Sequence, residues 1–567
     1  MSKPARGTQR VLPPHPGTQR VLPPHPDADQ LRRQARELLR AWQRADHDAL
    51  ARAAPYALQP PPRLAQAQLV IARELGFASW TKLLDEVERR RDAALDDAAF
   101  VERVLALALG RGHAAPRPTQ ALTLLQSRPA LRPPALRLVL GEAVDVDPMQ
   151  PLPPWNAPPL ALVAFSSLAR IGHGPMLLAS MQRLLAAGAD PNGGLVDRDS
   201  HPDPDSDPDS DRDSDRDTDP DAEPNHNPAQ AARPLPLLYG AVSRSQSGPM
   251  VQALLAAGAD PNDNESLYHA VEQDDRGMVA ALVAAGARWP GTNALFRQLD
   301  FDSVPHLRQV LALGADANEL SAGTGTRPLH HAVVRGRSLA HLGALLEHGA
   351  DIAALDGHGH ALAWHAARAG RRDVLDWLAP LGQHPPDSLH ESFLAACAAA
   401  EEPMARALLA GRPGLIGELA PDQRSLLPEQ AQRGALESVR LMLALGWPVD
   451  QKGPWDASAL NQAAFRGDAA MAALLLQHGA RWHERNGYGG TALGSCLHAG
   501  CHEPVPGGDY AEVLRLLLAD GAPPPVDDED LTDGLSDVVT AWVDAAAASS
   551  GGTAHPSPRD GSANGTS

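Results

Sequence analysis

The chain of 567 residues is 43% hydrophobic but only 4% aromatic, and its formal net charge is −19. That length exceeds what one compact core fills, so several domains or an extended array are expected. A chain this acidic, with no basic stripe, is excluded as a general nucleic-acid binder. With no run of eighteen apolar residues, no membrane span is expected either.

Lysine occurs only at Lys3, Lys82 and Lys452, so arginine carries nearly all the positive charge. The Arg/Ala/Pro/Gly bias is that of high-GC bacterial genomes. A core of Ala, Leu and Val suits thin, closely packed helices. Cys397, Cys496 and Cys501 are too few for a disulfide framework and fit a reducing compartment. The first residues lack the apolar segment of a secretory signal, so the expected location is the cytoplasm.

Residues 1–26 hold the decapeptide GTQRVLPPHP twice. Proline-rich and glycine-punctuated, they read as a disordered arm. Residues 27–92 read as a small module of two or three helices. Leu31, Ala35, Leu38, Leu39 and Trp42 fall at helical spacing. Gly76 breaks the pattern, and Ser79 is placed to cap the last helix.

From about 119 to 524 the chain repeats itself. "LLAAGAD" at 254–260 returns as "LVAAGAR" at 282–288 and "LALGAD" at 311–316. The turn glycines Gly258, Gly286 and Gly314 lie 28 apart, Gly349 follows 35 later, and Gly446 and Gly479 are 33 apart. From Gly446 to Leu460, and from Gly479 to Leu493, is 14 residues; from Gly258 to Leu267, and from Gly286 to Leu295, it is nine. The shortening falls between one helix pair and the next, so about five residues are missing from a projecting loop while both helices stay. Each glycine is expected to end a helix in the left-handed conformation. The Asp or Asn after it is expected to bond local backbone.

A repeat of about 33 residues with two helices, a tight turn and a projecting hairpin resembles the ankyrin repeat. "RPLHHAVVRGRSLAHLGALLEHGADI" (327–352) and "SALNQAAFRGDAAMAALLLQHGARW" (458–482) are the nearest copies of its pattern. The chain thus resembles bacterial ankyrin-repeat proteins over 119–524. The helical stretch "AQLVIARELGFASWTKLLDEVE" resembles the region that precedes the repeats in such proteins. The resemblance implies an all-α ankyrin-repeat solenoid of about ten helix-turn-helix units with short finger hairpins, preceded by the small helical module. Segments near 120–143 and 391–446 are expected to be divergent units. In the full motif a His ties one repeat to the next; His330 keeps that place, which Tyr268, Asn461 and Gly494 fill elsewhere.

An insertion at 197–228 falls where a finger belongs, and its 197–223 portion holds twelve Asp, one Glu and three Arg. It reads as a disordered, solvated spacer, with cation binding by its carboxylates as a lesser reading. Residues 526–548 are expected to form a capping helix and 549–567 a disordered tail.

The resemblance implies a non-enzymatic scaffold that binds a protein partner through finger tips and the concave helix face. No membrane, nucleic acid, small-molecule substrate, cofactor or resident metal is expected. Trp289, Trp482, Tyr488, Arg485 and His358 lie in or beside the turns and fingers and are the candidate partner contacts, since aromatics and Arg dominate hot spots. Trp289 and Trp482 both follow "GAR", where a side chain also packs well against the next repeat. The alternative is a metal-dependent hydrolase using Cys496, His498, Cys501 and His502. Against it, Cys496 occupies a small-residue position of a helix and should point inward. No phosphate-binding loop or nucleophile elbow accompanies it.

Overall fold

The computed structural model describes residues 20–56, 64–111, 115–196, 234–273, 275–502 and 504–523, and beyond these 535, 538 and 539. The first decapeptide copy, the Asp-rich insertion, most of the expected capping helix and the tail lie outside the described residues. Two compact units are resolved: residues 92–395, and residues 1–91 together with 396–567.

In 20–91 the apolar spacing produces helices Ala28–Gln43, His47–Ala53 and Leu64–Glu74, with a further helix starting at Trp80. Leu31, Ala35, Leu38, Val70, Ile71 and Leu83 form their core. Ser79 does cap the last helix, its Oγ accepting the Lys82 N–H at 3.3 Å. The arm expected over 1–26 ends earlier than the composition implied. Leu22 of the second decapeptide copy is buried, and the Arg20 N–H donates to the Glu74 carbonyl at 2.9 Å. The Arg90 guanidinium then holds the carbonyls of Leu22 and Pro23. A single leucine in a proline-rich stretch is enough to dock it when the neighbouring helices leave a socket.

Among the described residues of 92–395, seven helix pairs follow one another from Pro118 to Leu378. Helix Asp97–Leu109, which the sequence pattern leaves unassigned, packs on the first pair with Phe100 and Val104 buried. Second helices pack on second helices, as Gly248–Ala256 does on Gly277–Ala284 and Val304–Ala312 on Leu339–Glu347. First helices pack likewise, Pro328–Val334 on Leu362–Arg368. The buried stripe of the second helices comprises Leu254, Leu282, Leu311 and Leu345. Beyond Ala396 the same pairing recurs in Leu426–Arg433 with Leu436–Ala444, Ala459–Arg466 with Ala469–Gln477, and Ala492–His502 with Tyr510–Ala519. This is the ankyrin-repeat architecture: an all-α solenoid in which each pair shields its apolar face only against its neighbours.

The turn glycines do what their spacing requires. Gly188, Gly258, Gly286, Gly314, Gly349 and Gly479 all have φ between 83° and 101°. After each, the next residue's N–H reaches back to close a Schellman turn, as Ala259 does to the Leu254 carbonyl at 3.0 Å and Ala350 to Leu345 at 3.0 Å. An added Cβ at Gly258, Gly286 or Gly314 meets nothing within 4 Å. The glycine is there for its backbone conformation alone. The short fingers are also as the spacing implies: helices begin at Ser266 and Ala294, eight residues after their glycines, but at Pro328 fourteen after Gly314. The first helices of the short units shrink too, to five and six residues.

The residues flanking the Asp-rich insertion meet at one place. Gly194–Leu195 and Leu235–Pro236 form a two-stranded antiparallel ladder, Leu195 opposite Leu235. Helix Gly174–Ala186 before the insertion packs on Gly248–Ala256 after it. The stack is therefore unbroken across 196–234.

The inter-repeat ties differ from those expected. Neither ring nitrogen of the buried His330 has a hydrogen-bond partner among the described residues. The ties come instead from the Asn four residues after the turn glycine. Asn192 bridges to the Gly258 carbonyl and the Asp260 N–H, and Asn262 to Gly286 and Arg288. Asn318 does the same with Gly349 at 2.8 Å and Asp351 at 2.7 Å. Asp450 takes this role toward Arg481. The Asp of each "GAD" keeps the local role, Asp316 Oδ1 accepting the Asn318 N–H at 2.8 Å. Replacing Asn318 by Ala removes two inter-repeat bonds from a half-exposed site. Urea unfolding is expected to show a loss of about 1–2 kcal/mol.

A second set of ties crosses the first helices. Glu272 pairs with Arg297 at 2.8 Å, Arg297 with Asp300 at 3.3 Å, and Asp300 with Arg335 at 2.8 Å. This chain of alternating charge links three successive repeats. His269 sits at its head between Glu265 and Glu272.

Candidate functional site

The fingers of the last repeats place their tips by backbone hydrogen bonds. Asn486 caps its own turn, its Oδ1 accepting the N–H groups of Tyr488 at 3.1 Å and Gly490 at 2.8 Å. The Gly487 N–H donates to the Trp455 carbonyl on the preceding finger at 2.7 Å. Lys452 reaches from that finger to the Arg485 carbonyl and lies 3.8 Å from Glu484. Two consecutive fingers are thus stitched side by side.

Trp455 and Tyr488 occupy the same position in these fingers, each four residues before its helix begins. They are 45% and 50% exposed. Trp455 was not singled out by sequence reasoning, which looked for aromatics after "GAR" or within Gly-rich tips. The signal was present: Trp455 lies 33 residues before Tyr488, one repeat period. Trp455 also has φ +56°, and Asp456 after it φ +49°. A bulky residue in the left-handed region costs about 1–2 kcal/mol.

The five candidate contacts part company. Tyr488, Arg485 and His358 are exposed, and Trp482 is half-buried with its ring edge-on to His483. His358 holds the equivalent tip position in its own finger, its Nε2 3.3 Å from the Thr324 carbonyl. Trp289 lies in the core at 5% exposure, its indole N–H donating to the Leu313 carbonyl at 3.2 Å. The position four after Gly286 is Pro290, not Asn, so the indole bridges to the next repeat where an asparagine would. A residue so placed presents no surface to a partner.

The Cys496–His502 cluster does not provide a metal centre among the described side chains. Cys496 is fully buried, its Sγ 3.5 Å from the Tyr510 carbonyl. Burial pushes its thiol up to about 12, so it keeps its proton at neutral pH. On one helix, residues 496 and 498 project about 200° apart, so the four residues cannot all converge on one ion. The His502 side chain lies outside the described residues.

The metal-capable group of the described residues is elsewhere: Asp356, His360 and His365, whose ligand atoms all lie within 4.8 Å of one another. Asp356 caps its finger as Asn486 does, Oδ1 accepting the N–H groups of His358 at 2.9 Å and His360 at 2.8 Å. Its Oδ2 meets His365 Nε2 at 2.8 Å and His360 Nδ1 at 3.4 Å. Burial alone would raise the Asp356 carboxyl, but the His360 N–H and the His365 ring bring it down to about 2. Burial lowers His365, which is therefore a neutral imidazole at neutral pH. Burial and then the nearby His365 lower His330 to about 4.

No family model matches the chain, and no curated protein matches it. Solved structures similar to it include the human ASB11 ankyrin repeat domain, at 23% identity and a TM-score of 0.21, covering 41% of this chain and 99% of that one. Another is the ankyrin repeat domain of Bcl-3, described as a unique member of the IkappaB protein family, at 22% identity and a TM-score of 0.22, covering 44% of this chain and 96% of that one. Among the described residues no helix is long and apolar enough to cross a membrane.

Proposed function

We propose that the chain is a non-enzymatic scaffold that binds a partner protein through its finger tips. The observation that carries this reading is the Trp455–Tyr488 pair: two large aromatics, about half exposed, on consecutive stitched fingers. Trp455 adopts a costly backbone conformation without burying its ring in return. Such an outlier supports presentation of the side chain rather than stability. The backbone ties and the Arg481–Asp450 and Arg481–Glu484 pairs hold the tips before binding, so little ordering entropy is spent on association. The free state of all three cysteines, two of them buried, supports a reducing, cytoplasmic setting.

The test is affinity capture with purified wild-type chain and the W455A/Y488A double variant, read by quantitative mass spectrometry. Proteins held specifically by the wild type are expected to fall at least about tenfold with the variant, the loss of roughly 1.4 kcal/mol or more typical of anchor residues. The thermal midpoint should move little, because about half of each residue is already solvated. An unchanged captured set would overturn the reading.

A further inference from the structure

We propose that Asp356, His360 and His365 form a binding site for a divalent transition metal of the zinc class, which locks the finger at 353–361 onto its own helix. The inference concerns a different finger from the Trp455–Tyr488 pair and stands or falls without it.

The repeat does not need these residues for its fold. At the finger 130 residues later the same turn is closed by an amide, Asn486, with Gly490, Gly494 and Ser495 standing where His360, Trp364 and His365 stand here. The carboxylate and both imidazoles are therefore additions to a turn that closes without them. What they add is convergence: two rings, one from the finger and one from helix Leu362–Arg368, meet a single buried oxygen.

The separations suit a metal. Tetrahedral bonds of 2.0–2.1 Å place neighbouring ligand atoms about 3.3 Å apart, and the two observed distances to Asp356 Oδ2 are 2.8 and 3.4 Å. Two imidazoles and one carboxylate select zinc, cobalt or nickel over the all-oxygen preferences of calcium and magnesium. The rings are held from behind. Trp364 stacks on His360 at 3.7 Å and 6° between planes, and meets His365 edge-on at 4.9 Å. His330 provides a second, independent pointer to a ligand. Its ring centre lies 4.9 Å from that of His365, it is 1% exposed, and both its nitrogens lack partners. A buried imidazole with nothing to bond is costly, and an ion drawing the His365 ring over would leave His330 free to bond to a metal-bound water.

On binding, the neutral His365 ring passes its proton from Nε2 to Nδ1, and the freed Nε2 lone pair turns from Asp356 to the ion. Three protein ligands leave a fourth position for water. The bridge joins residues 356 and 360 of the finger to residue 365 of the helix, fixing the loop that carries His358.

Zinc chloride is titrated into chelator-treated full-length chain at pH 7.5 by calorimetry, for the wild type and for D356N, H360A and C501S. D356N keeps the turn cap that Asn486 shows to be sufficient, and H360A keeps the backbone N–H that Asp356 binds, so both should retain the wild-type far-UV circular dichroism. The wild type and C501S are expected to bind one equivalent at micromolar affinity or tighter, and D356N and H360A at least about 100-fold more weakly. With cobalt chloride, the wild type should show visible d–d bands without near-ultraviolet sulfur charge transfer. Absence of a tight equivalent, undiminished affinity in D356N and H360A, or sulfur bands abolished by C501S would each overturn the site.

Discussion

Leu345→Ala is expected to lower the unfolding free energy by about 2–5 kcal/mol in urea titration, the cost of a cavity that its surroundings cannot close. Leu345 is fully buried in the last turn of helix Leu339–Glu347, which packs against Val304–Ala312 of the preceding pair. That helix packs on Val304–Ala312 and on its own partner Pro328–Val334, so the loss falls on two interfaces at once and separates the melting of this region from the rest. Leu339, on the same helix but 37% exposed, is the internal control: L339A should change stability by less than about 0.5 kcal/mol. Equal effects at the two positions would mean that the buried stripe does not hold the units together.

The second large effect is on pH. His330 is buried and neutral, its pKa lowered to about 4 by burial and by the neighbouring His365. A depressed histidine favours the fold above its unfolded value near 6.5, and that contribution is lost as pH falls toward 4. The loss is on the order of 3 kcal/mol by pH 4. His269 runs the other way. Burial works against its charge, but the Glu265 and Glu272 carboxylates outweigh it and raise the ring to about 9. Its contribution is complete below about 6.5 and disappears as pH rises through 9, a change on the order of 1–3 kcal/mol. Thermal melting across pH 4 to 10 should therefore peak near pH 6.5 to 7. H330F should make the acid limb shallower, to which the lowered His341 and His365 also contribute, and H269Q the alkaline one; a limb left unchanged by its own substitution contradicts the assignment.

The repeat was legible because its most demanding position is backbone, not side chain. A helix that must end in the left-handed region asks for glycine, so Gly258, Gly286, Gly314 and Gly349 mark the period even where the motif around them has drifted. The loss of finger residues could be read from the same marks. What stayed hidden depended on contacts across repeats. Asn192, Asn262 and Asn318 follow proline- or alanine-containing turns and read as local turn residues; only the stacking shows each reaching the next glycine. Leu22 read as part of an arm because nothing in a proline-rich decapeptide shows that a socket awaits it. The Asp356 cluster is written in ten residues, "DGHGHALAWH", but nothing in their spacing shows that two rings turn to one carboxylate. Trp289 reads both as a turn anchor and as a side chain packed on the next repeat; the second reading matches its buried ring, which fills the place an asparagine holds elsewhere.

Amide hydrogen exchange on the full-length chain tests the stacked-pair architecture most directly. The N–H groups of Ala259, Ala287, Ala315 and Ala350 close their turns onto Leu254, Leu282, Val310 and Leu345. They should be protected together with the second helices, recurring at intervals of 28, 28 and 35 residues, with the exposed finger residues Leu320 and Leu355 exchanging fast. Rapid exchange at those four alanines, or protection running without interruption through the finger tips, would contradict the helix-pair solenoid.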